Sequence, residues 1–213
     1  MTKKTLISVL IVVTAVIAGV LITSAVYALT GFSLFTASQR KTNSPDTNSA
    51  AMVTLAYSIL ENIKDDDFAA LSHVVHPEKG IVLSPYATIN LDTNRRFSAE
   101  ETAAFATDSH IYVWGVYNGS GEPIEMTPAE YFAEFIPAAD FMDTSMIGIN
   151  QVVRSGNALE NMTELFENVQ FIDFHLPGAD NADQPAWSSL RLGFEEYKGQ
   201  LWLVTIVYST WTA

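Results

Sequence analysis

The sequence predicts an α+β domain carried behind an N-terminal transmembrane helix and a flexible stalk. Three observations lead there. An uncharged apolar run opens the chain, from Thr5 to Gln39. Capping boxes and apolar residues spaced by three and four mark helices after it. Toward the C-terminus, strand-like segments close on a short Gly-containing turn. Helices first, then strands with inserted helices and a final antiparallel hairpin, indicate helices packed on a curved antiparallel sheet.

The apolar run sets the organisation. Its densest part, Leu6 to Ala28, includes Ile7, Val9, Leu10, Ile11, Val12, Val13, Val16, Ile17, Val20, Leu21 and Ile22. About 20 apolar residues in a helix match a hydrocarbon core of about 30 Å. The division expected is 1–5 as cytoplasmic N-terminus, 6–28 as transmembrane signal anchor, 29–50 as stalk and 51–213 as an acidic extracytoplasmic domain. Cleavage at Val26-Tyr27-Ala28 and secretion is the alternative. Lys3 and Lys4 precede the apolar run, and Arg40 and Lys41 follow it. Long following domains translocate largely regardless of flanking charge, which favours an N-terminus inside. Both outcomes put the domain outside the cytoplasm, in the first case held at the cell membrane by a single pass. Ser38 to Ser49 is polar and nearly free of hydrophobes, as a flexible stalk requires.

Charge and composition narrow the partners. The chain carries a formal net charge of −13, yet from Thr42 onward 7 basic residues face 24 acidic ones, a net of −17. Such a domain repels phosphate backbones, so no nucleic acid is expected as partner. Cationic ligands, metal ions and basic protein surfaces stay open. The absence of cysteine removes disulfides, thiolate nucleophiles, zinc ribbons and iron–sulfur clusters. It also removes a lipid-modified cysteine, so any anchor is proteinaceous.

The elements follow in order. From Ala51, Met52, Ala56, Ile59, Leu60 and Ile63 define a helical face. Asp65, Asp66 and Asp67 interrupt it, and a second short helix presents Phe68, Leu71, Val74 and Val75. The aspartates suit the N-terminus of that helix and lack the spaced ligands of a calcium loop. Ser98-Ala99-Glu100-Glu101 opens a helix to about Thr107. Thr127-Pro128-Ala129-Glu130 opens another, carrying Tyr131, Phe132, Phe135 and Ile136. A short helix is expected over Leu159–Glu167. Strands are expected at Ile81–Leu83, His110–Tyr117, Met146–Val153, Val169–Leu176, Leu190–Glu196 and Leu201–Tyr208, with a turn at Tyr197-Lys198-Gly199-Gln200.

His76-Pro77-Glu78-Lys79-Gly80 with Ser84-Pro85-Tyr86, the run Trp114 to Ile124, and the ending from Ser189-Leu190-Arg191-Leu192 through Trp211 resemble a family of uncharacterised bacterial envelope proteins. The resemblance covers about Ala51 to Ala213 and implies an N-terminal signal or anchor, but no activity. The order of elements also resembles the cone of the nuclear-transport-factor-2-like (NTF2-like) superfamily, related in shape to cystatin-like folds. That implies a curved antiparallel sheet ending in a hairpin and says little of function.

Each candidate site residue also has a structural role open to it. His73 and His76, with Glu78 and a remote His110 or His175, have metal-ligand chemistry, but Pro77 ends the helix and the helix dipole alone favours histidine there. Asp173 and His175 alternate on one strand face and could form a general-base pair; the rival reading is a partly solvated pair near a strand end. His76 and Glu78 are the other His–carboxylate pair. Gly119-Ser120-Gly121 lacks the Gly-x-Ser-x-Gly elbow, and no phosphate-cradling loop or dinucleotide fingerprint occurs, so no cofactor is expected. The Tyr117–Pro123 loop, including Glu122, reads as a connection or binding edge. Arg191, opposite in face to Leu190, Leu192 and Phe194, could meet an anionic ligand, and an ion pair with Glu195 is the expected alternative. Tyr86, Trp114 and Tyr117 are aromatic candidates for ligand contact or core. The sequons at Asn118 and Asn161 mean little in a bacterial chain. Together these favour non-catalytic binding of an envelope protein partner or small ligand. The alternatives are a cavity-type enzyme with hydrolase or isomerase/lyase-like acid–base chemistry, and a metal-binding envelope protein.

Overall fold

Eighteen residues with one apolar face begin the folded domain. The computed structural model describes residues 47–178 and 187–211. The predicted span 6–28 lies outside them; among the described residues no helix is long and apolar enough to cross a membrane. Helix α1 (Thr47–Lys64) starts four residues earlier than its periodicity suggested, inside the predicted stalk, and the Asn48 amide donates to Gln170 Oε1 at 3.3 Å. Its buried stripe is the predicted one: Met52, Ala56, Ile59, Leu60 and Ile63.

Asp67 caps α2 (Phe68–Ser72) by accepting the Ala70 N–H at 2.9 Å, and Asp66 takes a left-handed φ of 54° to turn the chain. The aspartate triplet is therefore a helix start. Both predicted capping boxes form, at Ser98 before α3 (Ala99–Ala103) and at Thr127 before α4 (Pro128–Phe135). Helix α3 is shorter than expected. Helices α5 (Ala138–Met142) and α6 (Met162–Leu165) complete the set, α5 without a sequence signal.

The main sheet has six strands in the order β2-β1-β8-β7-β6-β5. They are β1 (Ile81–Ser84), β2 (Arg96–Phe97), β5 (Met146–Ile149), β6 (Gln170–Leu176), β7 (Ser188–Tyr197) and β8 (Gln200–Thr210). β3 (Tyr112–Val116) and β4 (Pro123–Met126) form a separate two-stranded ribbon. The fold class is α+β, as the sequence predicts. The sheet is mixed, which corrects the all-antiparallel expectation: β1 runs parallel to β8, Val82 opposite Thr205. The closing hairpin is tighter than expected. Tyr197 pairs with Gln200, and Lys198 and Gly199 have φ of 55° and 78°, the two positive values of a type I′ turn that follows strand twist.

The two faces of the sheet differ in chemistry. One face presents Ile172, Phe174, Leu190, Leu192, Phe194, Leu203 and Ile206 to α1 and the aromatic residues of α4 and the ribbon, in one apolar cluster. The other carries Phe171, Asp173 and His175 from β6, Ser189, Arg191 and Gly193 from β7, and Thr205, Val207 and Ser209 from β8. A smaller apolar cluster of Val82, Ile89, Met162, Phe166, Phe171, Val204 and Val207 covers this second face. A bulge opposite Gly193 adds Val204 to it. A methyl group on Gly193 would lie 2.6 Å from Thr205 Cγ2, so the strand needs glycine for space there.

Candidate functional site

Asp173 and His175 share a face of β6 and are both buried, which corrects the partly solvated alternative. They do not bond to each other. Residues two apart on a strand are separated by about 6.6 Å, while directly opposed residues on neighbouring strands are about 5 Å apart. Each therefore turns sideways. His175 Nδ1 meets Ser189 Oγ at 2.8 Å, its register partner, and Asp173 Oδ2 lies 3.4 Å from Nε of its register partner Arg191. Asp173 Oδ2 also accepts the Val153 N–H at 2.7 Å.

Arg191 forms the predicted ion pair, with different partners. Its Nη1 bonds the Glu160 carboxylate from the overlying segment, its Nη2 donates to the Arg154 carbonyl at 3.3 Å, and Asp173 flanks it. Glu195 instead pairs with Lys79. One guanidinium thus holds two carboxylates beneath a loop, and Glu160 Oε1 and Asp173 Oδ1 keep no hydrogen-bond partner among the described residues. This is an anchor for the covering segment.

Burial sets the titration of this face. It pushes the Glu160 and Asp173 carboxyls above their ordinary range, outweighing the pull of Arg191, and pushes the His175 imidazole below its own. His76 is lowered by burial too. The two classes act with opposite sign on stability. Below pH 6.5, the ordinary imidazole value, the unfolded chain takes up protons that folded His76 and His175 resist, so stability falls. Above the ordinary carboxyl values of 4.5 and 3.8, the folded chain takes up protons first at Glu160 and Asp173, so their contribution rises as pH drops. In urea titrations from pH 7.5 downward, His175→Asn is expected to flatten the decline below pH 6.5. Glu160→Gln is expected to steepen the net loss at lower pH, because it removes an opposing term. Parallel profiles for all three proteins would contradict the assignment.

The second His–carboxylate pair is also structural. His76 Nδ1 accepts the N–H groups of Glu78 at 3.2 Å and Lys79 at 3.0 Å, capping the turn that leads to β1. Its ring lies 5.0 Å from Tyr197, whose hydroxyl donates to Glu78. His73 is exposed, and among the described residues no group of three or more histidine, aspartate or glutamate side chains is placed to hold a metal ion.

The ligand candidates separate. Trp114 is fully buried, stacked at 4.0 Å on Tyr131, with its indole N–H on the Met126 carbonyl at 2.9 Å. It is core. The Tyr117 hydroxyl donates to Glu134 at 3.0 Å, a bond that raises its pKa. Glu122 is exposed, its backbone carbonyl closing the loop onto the Tyr117 N–H. Tyr86 lines an open cleft. That cleft, about 260 Å³, lies between the Ser84–Asn94 segment, the end of β3 and Asn157, and is faced by Ser84, Tyr86, Asn90, Asn94 and Asn118. The Tyr86 hydroxyl accepts the Asn118 N–H at 3.2 Å. Asn90 and Asn94 tie their loop internally, Asn94 Oδ1 accepting the Asn90 N–H at 2.7 Å. Asn161 fastens that loop to the covering segment, exchanging two 2.9 Å bonds with the Ile89 backbone. A second groove of about 470 Å³ adjoins it, sharing Thr93, Asn94, Gly115 and Val116 and adding Asp92, Arg95, Arg96 and Val113.

Sequence reasoning missed Asn90, Asn94, Asn157 and Glu160, while Asn118 lies in the Tyr117–Pro123 loop that it read as a connection or binding edge. The only local signal was the cluster of turn formers Asn90-Leu91-Asp92-Thr93-Asn94, which reads as loop and not as site. Compared with protein-family models, curated proteins and solved structures, the chain gives no match.

Proposed function

We propose that this chain is a membrane-tethered extracytoplasmic domain that binds a small polar ligand and performs no chemistry on it. The observation that carries the reading is the cleft beside Tyr86. Among the described residues its lining of amides, hydroxyls and one phenol contains no carboxylate, amine, guanidinium or imidazole, within a domain where acids abound. Such a surface orients a neutral polar molecule by hydrogen bonds while Pro85 and Val116 supply apolar contact. Both His–carboxylate pairs are committed to structural bonds, which weighs against the enzyme alternative. The apolar run at 6–28 behind Lys3 and Lys4 supports the tether.

The long helix, short helix and sheet ending in a hairpin support membership of the nuclear-transport-factor-2-like superfamily, with parallel β1 as a departure. The envelope-protein family resemblance agrees with the tether.

The reading is tested by a ligand-detected NMR screen of neutral polar compounds against the full chain and its Tyr86→Ala variant. Hits that lose about tenfold in affinity in the variant are expected. Hits indifferent to Tyr86, or none at all, would remove the cleft as the site. A reporter fused after Ala213 is expected to face the cell exterior, and the opposite orientation would remove the tether.

A further inference from the structure

The basic residues of the domain are few, and most are engaged. Lys64 pairs with Asp65, Lys79 with Glu195 and Arg191 with Glu160 and Asp173. Lys198 and Arg154 sit over the rings of Tyr197 and Trp187. The other two are Arg95, likewise over a ring, and Arg96. They adjoin each other in sequence, line the larger groove and, among the described residues, have no carboxylate within ion-pair distance. From Thr42 onward, where 24 acidic residues face 7 basic ones, two arginines lining one groove, with no counterion among the described residues, offer an anion seat.

They are also held in place. The Arg95 carbonyl accepts the Leu83 N–H at 3.2 Å, and Arg96 pairs with Val82 of β1. The Arg95 guanidinium lies 4.4 Å over the Tyr112 ring, and Arg96 Nη1 donates to the Lys79 carbonyl. A guanidinium fixed by stacking, or by one hydrogen bond, still has donors free for a carboxylate and loses little freedom on binding it. The neutral cleft beside Tyr86 shares Thr93, Asn94, Gly115 and Val116 with this groove, so the two adjoin along a trough. Asp92 on its rim repels densely charged ligands such as polyphosphates.

We infer that this trough binds an acidic saccharide, its carboxylate on Arg95 and Arg96 and its hydroxylated rings along Tyr86 and Asn94. The inference rests on the proposed binding role and names its ligand class. The electrostatic end selects for the acid group; the amide end accepts the sugar body and is indifferent to charge.

The test is calorimetric titration of the full chain, in a detergent without a sugar headgroup, with trigalacturonate and with neutral maltotriose. Trigalacturonate is expected to bind about tenfold more tightly, the scale of a charge-assisted hydrogen-bond pair, with the preference shrinking at high salt. R95Q/R96Q is expected to abolish the preference, R95K/R96K to keep part of it, and Tyr86→Ala to weaken both probes alike. Asp92→Asn, which leaves the arginines untouched, is expected to tighten trigalacturonate binding about threefold. Equal binding of the two sugars, or a preference that survives R95Q/R96Q, overturns the arginine assignment while the Tyr86 cleft stands. No binding of either probe overturns the saccharide assignment, and the broader screen against Tyr86→Ala then decides the cleft separately.

Discussion

Replacing Arg191 with alanine is expected to cost about 3–5 kcal/mol of folding stability, the usual penalty for breaking a buried ion pair from one side. Asp173 is fully buried and Glu160 half-buried, and each would keep a carboxylate without a countercharge. The Arg154 carbonyl would lose its donor as well. The loss is read from urea denaturation followed by tryptophan fluorescence. Because the penalty comes from stranded charge, R191A/D173N/E160Q is expected to recover most of it: neutral amides need no counterion, and replacing a whole buried ion cluster is often close to neutral. A single-variant loss below about 1 kcal/mol would mean that water reaches the carboxylates and the triad is not an anchor. The segment lying on this face also meets the ligand cleft through Asn157, so hydrogen exchange over 150–161 should quicken in Arg191→Ala.

Trp114→Ala is expected to cost about 3–5 kcal/mol, the range for deleting a large buried aromatic side chain. Trp114 stacks on Tyr131 and lies 5.4 Å from Phe97 and 5.9 Å from Tyr112, so its removal empties the centre of an aromatic cluster. The Tyr131 hydroxyl, already buried without a hydrogen-bond partner among the described residues, would face the void. Trp114→Phe restores much of the volume and loses only the indole bond to Met126, so a cost of about 1–2 kcal/mol is expected. Ligand affinity in Trp114→Phe should stay within about twofold of the parent, since the side chain does not reach the cleft. A large affinity loss with intact stability would restore Trp114 as a contact residue.

The legible parts of this molecule are those whose causes lie within four residues. Ser98 and Thr127 announce their helices because the capping partner sits three positions on, and both reciprocal bonds form. Asp67 does the same at α2. The β7–β8 hairpin is written in Lys198-Gly199. β2 and β4 escaped because two and four residues, among them Pro123 and Glu125, give no alternation to detect. The cleft escaped because Tyr86, Asn118 and Asn157 come together only after the loops fold.

Arg191 shows where the boundary falls. Its place on the strand face opposite Leu190 and Leu192 follows from alternation, so the sequence alone determined that it faces away from the main core, along with the acidity, the apolar run at 6–28 and the α+β class. Which carboxylate it meets was decided by tertiary structure: not Glu195, two residues along, but Asp173 on the next strand and Glu160, 31 positions earlier, on the loop above. The reason is geometric. A strand spaces its own same-face residues too far apart to bond, while pairing and coverage bring distant segments within reach.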